Sequence, residues 1–518
     1  MLSDSCHTLA VFQSSVNQMS QNNLNSDSQN SETIPLQQTP GVEVSAEVEP
    51  AKAVTEKDVS LKEKKKPETN QRLVSLDAYR GFVMLAMASG GLAIASVVRN
   101  SPEVLDQYNG TQWESSWKTL WQTLSYQLSH VEWTGAGFWD LIQPSFMFMV
   151  GVSMPFSVRK RRQKGDSTFK IWMHAIFRAI LLVALGVFLS SQFSPERGFT
   201  YEDVPQTNFT FANVLCQIGL GYLVVFFYVN RSFATQMIGV VTILGGYWFF
   251  FYQYMPPEDE LAAVKTYLKE VQHKDEAEWS QFSGIGSAWN KHTNAAAAVD
   301  RQLLNMFPRY DNPKDDPDQG DTFWVNKGGY QTLNFIPSIA TMLFGLMAGQ
   351  LLISNRLEKM KVKWLLQAGL ICFGVSMLLD TSIWPVNINN WEWHLVPIVK
   401  RIWSPGWAIF SAGWAFWFLA VFYWIIDVKG YKKWAFPFVV VGMNSIAMYC
   451  MAQLLRTWIQ VSLMIHLKAL DKATGWSVGG SLFSADCPYA PIAVSATVLF
   501  VFWLICLWMY LQRIFIKI

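Results

Sequence analysis

The sequence predicts an all-α, polytopic integral membrane protein with about ten transmembrane helices. Three observations predict it: 51% of the 518 residues are hydrophobic, only 15% are charged, and apolar runs long enough to cross about 30 Å of hydrocarbon recur along the chain. The 24 tryptophans and 35 phenylalanines are more than a soluble domain of this size needs. A net charge of +2 gives no sign of a nucleic-acid partner.

The start of the chain is polar and predicts a disordered tail. Residues 1–70 are rich in Ser, Asn, Gln, Glu and Lys, without the apolar stretch of a cleaved signal peptide. A lysine cluster, Lys62 with Lys64–Lys66, precedes the first apolar segment and is typical of the cytoplasmic side. The sequence therefore predicts a cytoplasmic tail over 1–70 and a transmembrane domain over 71–518.

Apolar segments after the tail are interpreted as ten spans. They lie near 79–98, 138–157, 171–190, 212–229, 235–254, 333–353, 364–380, 405–426, 436–455 and 492–511. With a cytoplasmic tail, the loops on the tail's side of the membrane hold most of the basic residues, whereas the outer loop near 191–211 has only Arg197. Cytoplasmic loops carry an excess of lysine and arginine, so both termini are predicted to be cytoplasmic.

Two outer segments are longer than connectors need to be. Residues 99–137 are rich in tryptophan, and residues 255–332 include an acidic stretch and a region rich in proline and aspartate. The second segment predicts either a folded cap or a flexible lid. No internal repeat stands out, which disfavours the common transporter folds.

The six cysteines occur singly, at spacings that match neither a zinc site nor a disulfide framework. We interpret those within the spans as small apolar residues. The sequence also lacks a phosphate-binding loop and a dinucleotide fingerprint, and we find no metal-ligand motif in it.

His130 and Asp140 are the first candidates for chemistry, because ionisable groups at a membrane edge are costly and often functional. An imidazole can take a proton from a nucleophile or accept an acyl group, and a carboxylate on its other nitrogen fixes the tautomer. The two residues are not on one helical face, so a pair requires a turn at Gly135 and Gly137. An exposed loop histidine and a helix-capping aspartate are the simpler interpretation.

Polar residues at the cytoplasmic ends of the spans allow two interpretations. Asp77 and Arg80, at the mouth of the first span, could hold an anionic ligand, or they could cap the helix and reach the interface. Arg159 and Arg162 lie in a basic loop that could bind the phosphates of a nucleotide cofactor or could only set the topology.

Polar residues also lie within the spans. Arg178 is just inside the third span, where a buried arginine needs a partner. Asn444 and Ser445 in the ninth span could contact a ligand or hydrogen-bond to a neighbouring helix. Outer tryptophans could stack on sugar rings, although membrane interfaces are rich in tryptophan anyway; they are Trp113, Trp117, Trp121, Trp133 and Trp139.

Several motifs together resemble one family. They are Arg72-Leu-Val-Ser75-Leu-Asp77-Ala-Tyr-Arg80-Gly81, His130-x-x-Trp133-x-Gly135, Asp140-Leu-Ile-x-Pro144, Ile339-Ala-Thr-x-Leu-x-Gly345, Lys400-x-x-Trp403-Ser-Pro and Gly442-Met-Asn444-Ser445-Ile. With these motifs in this order, the chain resembles the heparan-α-glucosaminide N-acetyltransferase family, a branch of the multispan membrane acyltransferases. The resemblance extends from about 72 to 455.

The resemblance implies an acetyltransferase that uses cytoplasmic acetyl-CoA to acetylate a sugar on the opposite face of the membrane. His130 matches the active-site histidine of the family, and Asp140 and Asp77 match its nearby acidic positions. Arg80 and Arg178, with Arg159, Arg162, Asn444 and Ser445, become candidates for binding the cofactor, and Trp133 for binding the sugar. The resemblance favours the functional interpretation of the His130 region.

The chain departs from the family pattern in two places. Gly90-Gly91 stands where the family has an asparagine near the end of the first span, and Cys216-Gln217 replaces a Gln-Arg pair. These departures leave the acceptor group open between an amine and a hydroxyl. We expect a bacterial inner-membrane protein in contact with membrane lipid and a glycan acceptor, and the sequence leaves a homodimer open.

Two other functions remain alternatives. One is a transporter or flippase for a sugar or a lipid-linked precursor, in which the polar residues line a passage. The other is a non-catalytic relative that acts as a partner or scaffold. Retention of His130, Trp133, Gly135 and Asp140 in one register favours an enzyme over the scaffold.

Overall fold

A computed structural model of the chain describes residues 72–191, 207–270, 273, 280–307, 325–326, 328–381, 394–475, 483–484 and 486–516. The tail predicted over 1–70 lies outside the described residues. Regular structure in the described part consists of helices and two isolated β-bridges, Thr134 with Val399 and Asp380 with His394. The all-α fold class is therefore confirmed.

The described residues form sixteen α-helices, which are numbered in chain order. They are α1 Val74–Ser89, α2 Ile94–Asn100, α3 Glu114–Gln127, α4 Ile142–Gln163, α5 Thr168–Ser190, α6 Val214–Phe227, α7 Phe233–Gln253, α8 Glu258–Glu270, α9 Ala295–Leu304, α10 Phe335–Ile353, α11 Glu358–Leu379, α12 Pro405–Tyr423, α13 Phe436–Met443, α14 Ser445–Leu454, α15 Arg456–Thr474 and α16 Ala490–Leu511. Short 3₁₀ turns precede several of them, including Phe138–Leu141 before α4 and Thr332–Asn334 before α10.

Helix starts follow from local capping. The side chains of Ser167, Asn213 and Ser232 accept backbone N–H groups in the first turns of α5, α6 and α7. Ser404 does the same for α12, where Pro405 occupies a first-turn position that needs no N–H donor.

Eight helical segments of the described chain are long and apolar enough to cross a membrane. They are Val74–Asn100, Phe138–Gln163, Thr168–Ser190, Phe233–Gln253, Thr332–Ile353, Glu358–Leu379, Pro405–Val428 and Ala490–Leu511. The prediction near 436–455 corresponds to α13 and α14, which are bent by 68° at their junction. The prediction near 212–229 corresponds to α6, which has only 14 residues. All ten predicted segments are helical, and eight have the length of a span.

Outward faces of the bundle are apolar, as expected for contact with lipid. Large apolar side chains are exposed on α5, α7 and α11, including Phe177, Ile180, Ile238, Val241, Leu370 and Ile371. Exposed apolar surface of this extent in a helical bundle is typical of a membrane protein. The chain is therefore a multi-pass membrane protein.

Helices α4 and α10 form the centre of the bundle and are its most buried spans. Glycines bring their backbones together: a Cβ at Gly345 would lie 2.0 Å from the carbonyl oxygen of Phe148, and a Cβ at Gly151 would lie 1.9 Å from that of Met342. We call this contact the glycine seam; small residues at such interfaces allow close helix packing in membranes. Helix α4 begins directly after the segment that carries His130 and Asp140. Close packing at the seam therefore fixes the position of the helix next to the site.

Residues 280–307 form a folded cap. The sequence left a folded cap and a flexible lid open for 255–332, and this part of the segment is a cap. Trp289 is buried and stacks on Phe251 of α7 with ring centroids 4.5 Å apart. Trp133, Val399 and Ile402 belong to the same apolar cluster. The cap therefore packs against the two segments that supply the candidate active site.

Candidate active site

His130 and Asp140 form a pair, which the turn at Gly135 and Gly137 makes possible. The Nδ1 atom of His130 lies 2.8 Å from Oδ1 of Asp140. The carboxylate is 2% exposed and the imidazole is 45% exposed. With Nδ1–H donating to Asp140, Nε2 keeps its lone pair and is the basic nitrogen of the ring.

The turn between the two residues depends on backbone contacts. Gly135 has φ 95°, a conformation that favours glycine, and its N–H donates to the carbonyl of Ile398 at 3.0 Å. The N–H groups of Val131 and Gly137 donate to Oδ2 of Asp140 at 3.2 and 3.3 Å. Asp140 therefore closes the loop and holds His130 at the same time.

Lys400 is the third member of the site. Its Nζ lies 3.0 Å from Oδ1 of Asp140 and 3.1 Å from Nδ1 of His130, and the side chain is 6% exposed. Burial lowers the pKa of Lys400, and the negative charge of Asp140 opposes that shift. The lysine ammonium and the imidazole Nδ1–H can donate to the same carboxylate oxygen.

Asp140 has its acceptor capacity filled by these contacts. Oδ1 faces His130 and Lys400, and Oδ2 accepts the two backbone N–H groups. A carboxylate offers about four acceptor positions. The charges of Asp140 and Lys400 cancel, so the unit of His130, Asp140 and Lys400 is electrically neutral while the imidazole is neutral.

Arg401 connects the segments around this unit. Its guanidinium donates to the carbonyls of Val131 and Gly328 and lies over the ring of Tyr330, 5.4 Å from the centroid. Asn334 in turn donates to the carbonyl of Arg401 at 2.6 Å. The loop that carries His130 is thereby tied to the segment that carries Lys400.

A cavity of about 390 Å³ opens beside His130 and Lys400. Its wall is mixed, with aromatic, amide and apolar side chains; it includes Met87, Trp139, Ile142, Gln143, Phe146, Asn213, Asn326, Tyr330, Tyr449 and Gln453. A concave, largely apolar site with a few converging polar groups is the usual form of a small-molecule site. Its volume suits a sugar-sized group.

Asp77 lies near the opposite end of α1. It accepts from Nε of Arg72 at 2.6 Å, and its second oxygen is 4.0 Å from Arg80. Met87, which lines the cavity, is ten residues further along α1, or about 15 Å along the helix axis. The structure therefore does not bring Asp77 to His130, and it places Asp77 beside Arg72 and Arg80 in this second region.

Arg80 and Arg178 form the cationic cluster. Arg80 donates to the hydroxyl of Ser153 on α4, and the two guanidinium groups are close enough to repel each other. Arg178 donates to the hydroxyl of Tyr222 at 3.3 Å, whereas its buried Nε has no hydrogen-bond partner among the described residues. Excess positive charge and an unsatisfied donor suit an anionic group such as a phosphate.

The other predicted cofactor residues make different contacts. Arg159 and Arg162 are exposed at the end of α4. The amide of Asn444 donates to the carbonyl of Ile514, and its oxygen accepts from the N–H of Ile516, so both ends are used in holding the C-terminal chain. Ser445 is buried at the start of α14.

Trp133 was predicted to contact the sugar, and the structure places it in the apolar cluster under the cap and not in the cavity wall. Its ring is buried at 2% exposure, and its Nε1 donates to the carbonyl of Trp289 in the cap. Trp139 instead lines the cavity, with its ring centroid 6.4 Å from that of His130. The aromatic platform at the cavity is therefore Trp139.

Lys400 and the amide side chains of the cavity were not predicted as site residues. In the sequence, Lys400 stands out only as the first residue of the Lys400-x-x-Trp403-Ser-Pro motif. A signal was present, because a lysine directly before a span on the predicted outer side runs against the positive-inside rule. The amides of Gln143 and Gln453 carried no comparable signal.

Comparison with known proteins gives two related results. The chain is 22% identical over 419 residues to heparan-alpha-glucosaminide N-acetyltransferase of Mus musculus, covering 74% of this chain and 54% of the mouse protein. It is 22% identical over 408 residues to the Homo sapiens protein of the same name, covering 73% and 52%. The chain thus spans about half the length of the curated relatives it matches. No protein-family model matches the chain.

These matches confirm a distant relationship to the heparan-alpha-glucosaminide N-acetyltransferases. Both relatives are named as acetyltransferases, which agrees at the level of the family with the resemblance of the motifs.

Proposed function

We propose that this protein is a transmembrane acetyltransferase, which takes an acetyl group from acetyl-CoA on one face of the membrane and transfers it to a sugar on the other. The observation that carries the proposal is the His130–Asp140–Lys400 unit at the wall of a sugar-sized cavity. An oriented imidazole with a free lone pair is the group that acyl transfer requires.

His130 acts as the base in this proposal. Its Nε2 takes the proton of the acceptor as the acceptor attacks the acetyl carbonyl, while Asp140 holds the ring and stabilises the imidazolium that forms. The thioester bond breaks, and the thiolate of coenzyme A leaves and is protonated. An acetyl-histidine intermediate would use the same nitrogen, in two steps instead of one.

The cationic cluster is the proposed anchor for the donor. Ser153, which contacts Arg80, is ten residues from Gln143 in the cavity wall, about 15 Å along α4. An extended pantetheine arm can cover this distance. Phosphates near Arg80 and Arg178 would therefore place the thioester near His130.

The orientation of the donor face follows from charge. Loops at the end of α1 where Arg72 and Asp77 lie carry most of the basic residues, for example Arg159–Arg162 after α4. We propose that this face is cytoplasmic, that both termini lie there, and that the membrane is the inner membrane of a bacterium.

The test is transfer of label from radiolabelled acetyl-CoA by the detergent-purified full chain, with amino-sugar and N-acetylated oligosaccharides as acceptors. We expect His130→Ala to lower the rate by about 10²- to 10⁴-fold, the usual contribution of a general base. His466, an exposed histidine on α15, provides the control variant His466→Ala, which should keep the wild-type rate.

Folding of both variants is checked by gel filtration and thermal unfolding. Folded His130→Ala protein with the wild-type rate would overturn the assignment of the base. Purified protein that neither binds acetyl-CoA nor turns it over would overturn the proposed function and favour transport.

A further inference from the structure

We propose that Asp380 and His394 form a second carboxylate–imidazole pair, whose role is to position Lys400 in the active site. The consequence for catalysis rests on the proposed function, whereas the positioning itself does not. Neither Asp380 nor His394 belongs to the cavity wall that the described residues form. Asp380 is therefore assigned as a positioning residue that acts through Lys400.

The second pair has the same form as the pair of His130 and Asp140. Oδ1 of Asp380 lies 3.1 Å from Nδ1 of His394, and Oδ2 accepts the N–H of Ile398 at 2.8 Å. The carboxylate is 1% exposed. Hydrogen bonds to a buried carboxylate are among the stronger ones in proteins. Because Asp380 directly follows α11, these bonds attach residues 394–398 to the end of that helix.

Backbone contacts add to this attachment. The carbonyl of Leu379, the last residue of α11, accepts the N–H groups of Leu395 and Val396 at 3.1 and 3.2 Å. On the other side, the ring of Phe282 in the cap packs against His394 with ring centroids 5.3 Å apart. The segment is thereby held between the end of a helix and the cap.

The same segment continues into the loop that carries His130. Ile398, whose N–H is held by Asp380, offers its carbonyl to the N–H of Gly135 at 3.0 Å. The next residue, Val399, pairs with Thr134 in an isolated β-bridge. The carboxylate of Asp380 is therefore joined to the loop through a single backbone unit.

Lys400 follows Val399 directly and depends on the same backbone. Its Nζ lies 3.0 Å from Oδ1 of Asp140 and 3.1 Å from Nδ1 of His130. A lysine side chain has a flexible stem, so contacts at these distances require the backbone beneath it to be fixed. A shift of about 1 Å in a supporting segment can lower catalysis by about 10²-fold.

The test follows the protonation of His130 without any acetyl transfer. Diethyl pyrocarbonate reacts with the neutral imidazole and not with the imidazolium, and the ring of His130 is 45% exposed. The purified full chain is treated at a series of pH values, and the labelled peptide is quantified by mass spectrometry. The midpoint pH is the pH at which the rate constant reaches half of its maximal value.

We expect Asp380→Ala to raise the midpoint pH of His130 by about one unit, as Lys400→Met should, because a displaced Lys400 no longer neutralises Asp140. The sign is diagnostic. Loss of the negative charge of Asp380 would by itself lower the midpoint pH, so only a change in the position of Lys400 raises it. Below both midpoints, kcat/KM for transfer from radiolabelled acetyl-CoA should then fall by about tenfold.

Two further variants separate positioning from a general loss of structure. The double variant Asp380→Ala/Lys400→Met should have the midpoint pH of Lys400→Met alone, because the two changes act through one contact. Asp380→Asn keeps an oxygen for the N–H of Ile398 and should stay closer to wild type than Asp380→Ala. A midpoint pH in the double variant well above that of Lys400→Met would contradict the inference.

Controls come from elsewhere in the chain. The exposed His466 on α15 reports on the reagent in every sample, and its midpoint pH should not change. Asp427 also accepts two backbone N–H groups, those of Val74 and Ser75, both at 3.2 Å, at the start of α1. Asp427→Ala therefore removes comparable contacts and should leave the midpoint pH of His130 unchanged.

An unchanged or lower midpoint pH in folded Asp380→Ala would overturn the inference. If this variant does not fold, His394→Ala takes its place; a smaller rise is expected, and no rise would overturn the inference equally. A raised midpoint pH in a protein whose wild type transfers no acetyl group would support the positioning of Lys400, while the proposed function fails.

Discussion

Lys400 changes the chemistry expected of His130 and Asp140. A histidine beside an uncompensated carboxylate readily becomes an imidazolium and then has no lone pair to accept a proton. Lys400 is 3.0 Å from the carboxylate and neutralises its charge. The lysine acts through His130 and is therefore a positioning residue.

The variant Lys400→Met tests this role. Without the ammonium, Asp140 favours the imidazolium, so the acidic limb of the profile of kcat/KM against pH should move to higher pH by about one unit. Lys400→Arg keeps the charge and should return the limb toward its wild-type position. A purely structural role for Lys400 would instead lower kcat/KM at every pH without moving the limb.

Sequence alone could predict part of this site. His130 and Asp140 are separated by a short segment with two glycines, which makes a turn between them possible, and the family resemblance favoured the functional interpretation over the simpler one. Lys400 is 270 residues from His130 along the chain, and only the tertiary fold brings it to the site. The position of Trp133 could not be predicted, because an outer tryptophan can face either a cavity or a neighbouring core, and the cap covers this one.

At the scale of elements, the cap carries a buried acid. Asp300 on α9 is 1% exposed; one oxygen accepts from the N–H of Thr332 at 2.9 Å, and the other has no partner among the described residues. Burial raises the pKa of Asp300 to about 6. Because this value is above the usual 3.8, ionisation of Asp300 destabilises the folded cap at neutral pH, and stability rises as the pH falls through 6 toward 4.

We therefore expect Asp300→Asn to stabilise the protein at pH 7.5 by about 2 kcal/mol, since about two units of pKa shift correspond to that order of free energy. Asparagine keeps an oxygen for Thr332 and carries no charge. The measurement is thermal unfolding of the detergent-solubilised protein at pH 7.5 and pH 4.5, and the difference between variant and wild type should largely disappear at the lower pH. A difference that does not depend on pH would rule out this explanation.

The glycine seam makes a second prediction at this scale. Gly345→Ala places a methyl group against the carbonyl of Phe148, and overpacking of this kind costs about 1–3 kcal/mol. Gly374→Ala on α11 adds the same methyl group where no atom lies within 4 Å, and it should leave the unfolding temperature unchanged or slightly raised. Equal unfolding temperatures for the two variants would show that the seam tolerates separation.

Helix positions were predictable from apolar length, whereas two irregularities were not. The bend between α13 and α14 lies at Asn444, whose side chain is used by backbone groups of Ile514 and Ile516 about seventy residues later. The short α6 begins at the cap Asn213 and ends after four turns, because the chain then meets the polar Tyr228–Ser232 turn. Both features depend on contacts or on local capping that an average of hydropathy does not contain.

At the scale of the whole molecule, the two candidate sites lie toward opposite ends of the same helices. Asp77 and Arg80 lie near the start of α1, and Met87 near its end lines the cavity with His130. The same separation occurs along α4, between Ser153 and Gln143. This arrangement allows donor and acceptor to be bound from different sides of the membrane.

Cysteine labelling in intact cells tests the orientation. In a background without native cysteines, Gln112→Cys near the start of α3 should react with a membrane-impermeant maleimide added outside. Gly165→Cys, in the turn between α4 and α5, should react only after permeabilisation, because its loop is basic. The reverse pattern would invert the proposed topology and place the donor outside.

The glycine seam also has a mechanical consequence. Alternating access in many transporters requires one helical bundle to rock against another around a central site. Here α4, which joins the cavity to the cationic cluster, lies backbone to backbone against α10, and the contact at Gly151 and Gly345 leaves no layer of side chains along which the two could slide. We therefore expect α4 and α10 to stay fixed relative to each other, which fits the proposed transfer of an acetyl group better than transport by alternating access.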